Sequence, residues 1–254
     1  MSMSHFQRLA YLSKNLSLLT AKPNRIYMLS HMRSRSSLLS HILGSNPNIS
    51  GYSELSIKYR DRLAGLDQKI KLHQDELLVN SEVKLFDKIL HNSFDFQNVS
   101  SLNTPEVDIL IMLRPPESTI KSIVTMGEKN DNAKYADISW ASGYYKDRVE
   151  KITRMAKELE RFFFLKSDDI VNFPEETLSK LSKFMDLPIP LTSEYGSFSQ
   201  TGMKKSGDTS ENIKLGKIVK TKENDRIVIP NTISYNLNEL YNRAIELLEN
   251  GSSK

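Results

Sequence analysis

Short apolar runs and amphipathic stretches alternate along this chain. Runs at Ile26 to Leu29, Ile109 to Leu113 and Phe162 to Leu165 are too short for buried helices and are bounded by polar residues, as in strands buried on both faces. A further strand is predicted near Glu82 to Asp87. Other stretches carry the helical period. Leu38, Leu39, Ile42 and Leu43 share one helical face; Leu178, Leu181, Phe184 and Met185 share another. A helix from Tyr144 to Leu159 turns Tyr145, Val149, Ile152, Met155 and Leu159 to one side. The last helix, Ile233 to Glu249, repeats apolar residues at Leu237, Leu240, Tyr241, Ile245 and Leu248, with Gly251 just beyond. Strands alternating with helices predict an α/β fold: a single-domain, three-layer architecture with a central parallel sheet, right-handed crossovers and ligands at the carboxyl ends of strands.

Residues 1–24 form a separate segment, in which Phe6, Leu9, Leu12, Leu16 and Leu19 suit an amphipathic helix packed on the core, with a partner or a carrier as the alternatives; residues 25–254 form the main domain. Helix and loop fill Leu55 to Asn80, and a polar loop runs from Asn92 to Pro105. Residues 192–225 lack apolar periodicity and carry Lys204, Lys205, Lys214, Lys217, Lys220 and Lys222, which predicts a mobile loop.

Composition narrows the chemistry. A formal charge of +4 suits an anionic small ligand and does not argue for a nucleic-acid protein, which would need a clustered basic face. The absence of cysteine excludes disulfides, thiolate metal sites and cysteine nucleophiles, and His5, His31, His41, His73 and His91 show no close ligand pairing, so no metal site is predicted. No apolar stretch approaches the roughly 18 residues a membrane span requires, and the first 25 residues have no signal-peptide core.

Two segments carry candidate anion chemistry. In RIYMLSHMRSRSSLLSHILGSNPNISGYSEL, from Arg25 to Leu55, a strand leads through a polar turn into a helix. Backbone N–H groups around Ser34 to Ser37 then lie at a helix N-terminus, where the dipole favours an anion, and Arg33, Arg35, Ser36 and Ser37 gather there. The alternative is a capped helix with two solvated arginines. In VDILIMLRPPESTIKSIVT, Arg114 ends a strand, Pro115 and Pro116 start a helix, and Ser118 and Ser122 share its face near Arg114; the alternative is plain strand-to-helix punctuation. A third segment, LKSDDIVNFPEETLSKLSKFMDLP, reads as structural, with Asp168 and Asp169 in cap and loop roles.

These three segments, in this order, resemble the sulfotransferase family, especially its bacterial and tyrosylprotein branches. Arg33, Ser34, Ser36, Ser37, Leu38, Pro47 and Glu54 fit the pattern of the 5′-phosphosulfate loop, while Arg35 stands where that pattern often has glycine. The resemblance implies a phosphate-loop-like fold and transfer of a sulfuryl group from 3′-phosphoadenosine 5′-phosphosulfate to a hydroxyl of a carbohydrate, lipid or small alcohol. The product would be adenosine 3′,5′-bisphosphate, with no metal required. It places Arg33, Ser34, Arg35, Ser36 and Ser37 on the 5′-phosphate and Arg114 and Ser122 on the 3′-phosphate, with Lys204 or Lys205 of GMKKSGD closing over the latter. Glu54, 21 residues after Arg33, occupies the general-base position, and Arg33 would stabilise the leaving oxygen. Lys84, Lys88 and His91 are candidate acceptor-site residues, although Phe86 stands where cytosolic relatives place a histidine after Lys84. The implied protein is soluble and cytoplasmic, with a nucleotide donor and a hydroxyl acceptor as partners, no nucleic acid and no transmembrane segment.

Two other readings stand beside this one. A nucleotide kinase or NTPase of related fold is opposed by the lack of G-x-x-x-x-G-K-[ST]. A catalytically silent nucleotide-binding scaffold would bind the bisphosphate without turnover.

Overall fold

The structure, a computed structural model, describes residues 4–60, 63–198, 211–220 and 226–253. Two short helices, α1 (His5–Leu12) and α2 (Ser17–Thr20), precede the first strand, β1 (Arg25–Leu29). Next come α3 (Ser36–Gly44), β2 (Ile49–Ser50), α4 (Ala64–Gln74), β3 (Lys84–Ile89) and β4 (Val107–Leu113). Helices α5 (Pro116–Lys129), α6 (Ala133–Ala136) and α7 (Ile138–Ala156) lead to β5 (Phe163–Lys166). The chain then forms α8 (Asp169–Asn172), α9 (Pro174–Phe184) and, after a 3₁₀ turn at Glu211–Leu215, α10 (Asn231–Gly251).

The five strands make one sheet in the order β2-β3-β1-β4-β5, with every pairing parallel. Its central strands are almost wholly apolar because both faces are covered. One face packs Tyr27, Leu29, Ile109, Ile111 and Leu113 against the apolar sides of α5, α7 and α10. The other packs Ile26, Met28, Leu110 and Met112 against Leu39, Ile42 and Leu43 of α3 and Leu178 and Leu181 of α9. This alternation along β1 and β4 gives the predicted three layers. Strand order reverses about β1, so the crevice beyond its carboxyl end is the natural ligand position.

Several boundaries differ from the sequence reading. Strand β3 lies two residues later than predicted, since Ile89 continues the ladder with Leu29. Helix α7 begins at Ile138, where Asp137 caps it by accepting from Trp140 N–H. The N-terminal segment is corrected more substantially: Phe6, Leu9, Leu16 and Leu19 are exposed, and of the five predicted apolar residues only Leu12 is buried. The chain breaks between α1 and α2, and the segment is fastened by Leu12, Leu18 and Ile70 together with a buried pair between Arg8 and Asp67, Nε to Oδ1 at 2.6 Å. Within 192–225 the described parts are tied down: Tyr195 N–H donates to Gly216 C=O at 2.9 Å, Phe198 stacks on Tyr52, and Ile213 is buried. Lys204, Lys205 and Lys222 lie outside the described residues.

Candidate active site

The polar turn after β1 folds as an arch over the carboxyl end of the sheet. Arg33 and Arg35 both adopt left-handed backbone conformations, with φ of 61° and 67°. This conformation costs a side-chain-bearing residue about 1–2 kcal/mol relative to the right-handed one. Arg35 thus takes the geometry glycine would adopt freely, and it serves as the N-cap of α3 without a side-chain capping bond. Its guanidinium turns aside to Asp168 and Ser167 at the end of β5. Asp168 occupies the N-cap position of α8, as predicted, but its side chain makes this ion pair in place of a capping bond.

The turn is held from below by buried polar contacts. Ser34 is fully buried; Ser30 Oγ meets Ser34 Oγ at 2.7 Å and donates to the Met112 carbonyl at 2.7 Å. The Ser34 hydroxyl therefore points into the fold. His31, also fully buried, accepts from Arg114 N–H through Nε2 at 3.1 Å, so its Nδ1 carries the proton donated to Met32 C=O at 2.9 Å. Burial pushes this imidazole down to about 3, with Arg148 and Arg114 acting in the same direction. It is a neutral staple between the turn and the end of β4.

The two predicted anion units meet. Arg33 Nε donates to Ser122 Oγ on α5 at 2.9 Å, and Arg114 Nη1 donates to the Arg33 carbonyl at 3.0 Å. Arg33, Arg114 and Ser122 thus form one cluster. Ser118 instead bonds the Pro115 carbonyl within its own helix. Ser36 and Ser37 open α3, and the buried Lys88 reaches Ser37 Oγ with its Nζ at 3.5 Å. Lys88 brings a third cation to this end of the sheet. Lys84 is not brought there: it opens β3 at the opposite, amino-terminal end of the sheet, where it pairs with Asp108 at 2.6 Å and donates to the Met185 carbonyl.

On the β2–β3 side the chain leaves β2 through Gly51, whose φ of 115° and 2.5 Å approach to the Phe86 carbonyl at the Cβ position leave no room for a side chain. It then runs across the end of β3, placing half-buried Glu54 within electrostatic range of Asp87, His91 and Tyr144. Burial holds the His91 imidazole below its ordinary range, and the Glu54 charge opposes that shift. Tyr144 joins the two sides: Met32 N–H donates to its hydroxyl at 2.8 Å, and the hydroxyl donates to the Leu90 carbonyl at 2.7 Å. Its ring lies against His91 and Trp140. Arg148, fully buried, binds the Ser30 and Ile89 carbonyls and pairs with Asp95 at 2.7 Å, fixing both loops from beneath.

Sequence reasoning missed Asp87 and the roles of His31 and Tyr144. For Asp87 the signal was present: an Asp-Lys pair interrupts the apolar run of a central strand, where an unexplained charge is costly. Among the described residues no group of histidine, aspartate and glutamate could hold a metal ion, and no helix is long and apolar enough to cross a membrane.

No protein-family model and no curated protein matches the sequence. Solved structures do. A sulfotransferase from Alicyclobacillus acidocaldarius superposes with a TM-score of 0.54 at 13% identity, covering 91% of this chain and 95% of that one. A sulfotransferase from Mycobacterium tuberculosis gives 0.52 at 11% identity over 73% of each chain. At such identities the likeness concerns the path of the chain, and it agrees with the five-stranded parallel sheet flanked by helices: this chain has the fold of the bacterial sulfotransferases.

Proposed function

We propose that this protein transfers a sulfuryl group from 3′-phosphoadenosine 5′-phosphosulfate to an acceptor hydroxyl. The observation that carries the reading is the convergence of Arg33, Arg114 and Ser122 in one cluster beside the start of α3. A nucleotide bearing phosphates at both ends of its ribose needs two anion sites, one at a helix N-terminus and one supplied by forked cations. The fold likeness and the order of the motifs support the same reading.

The reaction asks little covalent chemistry of the protein. The acceptor oxygen attacks sulfur as the bond from sulfur to the 5′-phosphate oxygen breaks, so the protein must align the two, stabilise the departing phosphate and accept one proton. Arg33, Ser36, Ser37 and the α3 amides hold the 5′-phosphate in this account. Arg114 and Ser122 hold the 3′-phosphate, with Lys204 or Lys205 as a further contact. Arg35, paired with Asp168, shapes the turn more than it binds. Lys88, at Ser37, stands beside the leaving group, and Glu54 takes the acceptor proton, with His91 lining the acceptor side. A positioned general base contributes about 10²- to 10⁴-fold in rate.

The test uses radiolabelled donor, following label either into a hydroxyl acceptor or, with water in its place, into sulfate. Wild type should release sulfate without added metal, and Glu54→Gln should bind adenosine 3′,5′-bisphosphate normally while losing the release. Equal rates for the two would eliminate Glu54 as the base.

A further inference from the structure

The segment that carries Glu54 has no regular secondary structure, yet the peptide after it is gripped from two sides. Leu55 N–H donates to Asp87 Oδ1 at 2.9 Å, and the Leu55 carbonyl accepts from Lys71 Nζ on α4. Asp87 is 1% exposed, and the same Oδ1 accepts Lys88 N–H at 2.7 Å while Oδ2 accepts the Tyr59 hydroxyl at 2.7 Å. One carboxylate therefore ties the segment after Glu54 to the strand end that carries Lys88. Tyr59 is itself fixed by stacking on Phe96 and by the edge of Tyr27.

We propose that Asp87, seconded by Lys71, is a positioning residue that holds Glu54 at the carboxyl end of the sheet. This rests on the reading of Glu54 as the general base. The charge on Asp87 is costly where it sits. The groups facing it are Glu54, Tyr59 and Tyr27, with Arg25 behind the tyrosines and Lys71 across the Leu55 peptide. Burial, with Glu54 adding to it, pushes the carboxyl up to about 7. A carboxyl raised this far in the folded state stabilises the fold at low pH and loses that contribution as pH rises from its ordinary 3.8 through about 7. An asparagine would keep the grip on the Leu55 peptide without the charge: its Oδ1 accepts both N–H groups, while its Nδ2 donates to the Tyr59 oxygen, whose own proton must then turn away from this site.

Sulfate release from labelled 3′-phosphoadenosine 5′-phosphosulfate, bisphosphate affinity and thermal stability are measured for Asp87→Ala, Asp87→Asn, Lys71→Met and Glu54→Gln. In the balanced step water oxygen bonds to sulfur, the sulfur–oxygen bond to the bisphosphate breaks, and Glu54 takes the proton. Asp87→Ala should lose about 100-fold in release, the scale of an ångström misplacement, with bisphosphate affinity unchanged. Asp87→Asn should restore most of that rate and melt above wild type at pH 8, and Lys71→Met should fall between. Asp87→Ala releasing sulfate at the wild-type rate, or losing release and bisphosphate binding together, would overturn the positioning role while an inactive Glu54→Gln left the base standing. Glu54→Gln at the wild-type rate, or a wild type that releases no sulfate, would remove the base and this proposal with it.

Discussion

Arg33 Nε and Ser122 Oγ lie 2.9 Å apart, joining the turn after β1 to the helix after β4. Two segments separated by 89 residues thereby build one cationic corner at the switch point of the sheet. If the proposed function holds, a ligand with two phosphates bridges this corner, and each of its members should contribute to affinity in a way calorimetry can resolve.

Arg114→Ala removes the guanidinium that also braces the Arg33 carbonyl. A hydrogen bond to a charged group contributes about 1.5–3 kcal/mol, so adenosine 3′,5′-bisphosphate should bind roughly 10- to 150-fold more weakly. Ser122→Ala should give a smaller loss. Titration calorimetry on the two variants checks the order.

Arg35→Gly and Arg35→Ala both delete the pair with Asp168, but only glycine adopts the left-handed N-cap without strain. The glycine variant should be more stable than the alanine variant by about 1 kcal/mol. Denaturant midpoints of the two variants measure the difference directly.

His31 should give the fold an acid limb. Its imidazole stays neutral down to about 3 when folded, whereas the unfolded chain takes up a proton near the ordinary 6.5. Stability due to this group is therefore complete above 6.5 and is lost as pH falls toward 3, at up to about 1.4 kcal/mol per pH unit. Unfolding titrations from pH 7 to pH 4 should show a steeper decline for wild type than for His31→Asn.

Asp95→Asn should be strongly destabilising, because it leaves Arg148 buried among carbonyls without its carboxylate; both side chains are 1% exposed. Breaking such a pair costs about 3–5 kcal/mol. Thermal melts should show a drop far beyond that of Lys180→Ala, whose exposed pair with Glu176 contributes little.

Much of this architecture was legible in the sequence because both sheet faces are buried. Ile109 to Leu113 had to be a central strand, and Pro115 and Pro116 had to open a helix, as they do. That Arg33, Ser36 and Ser37 would lie at the turn into α3, and Arg114 just beyond β4, was legible from the order of strand, turn and helix. Long-range polar contacts were not: Leu55 with Asp87, Arg35 with Asp168 and Tyr144 with Met32 link positions 32 to 133 residues apart with no local period to betray them. The N-terminal segment misled for a related reason. Its apolar residues have helical spacing, yet the side that packs is chosen by Arg8 meeting Asp67.

The central claim is tested most directly by titrating the purified protein with adenosine 3′,5′-bisphosphate and with ATP and Mg²⁺ while following thermal unfolding. At 100 times its dissociation constant a ligand adds about 2.7 kcal/mol to stability. The account predicts a clear upward shift with the bisphosphate alone and no comparable shift with ATP and Mg²⁺. A preference for ATP with Mg²⁺, or no response to the bisphosphate, would contradict it.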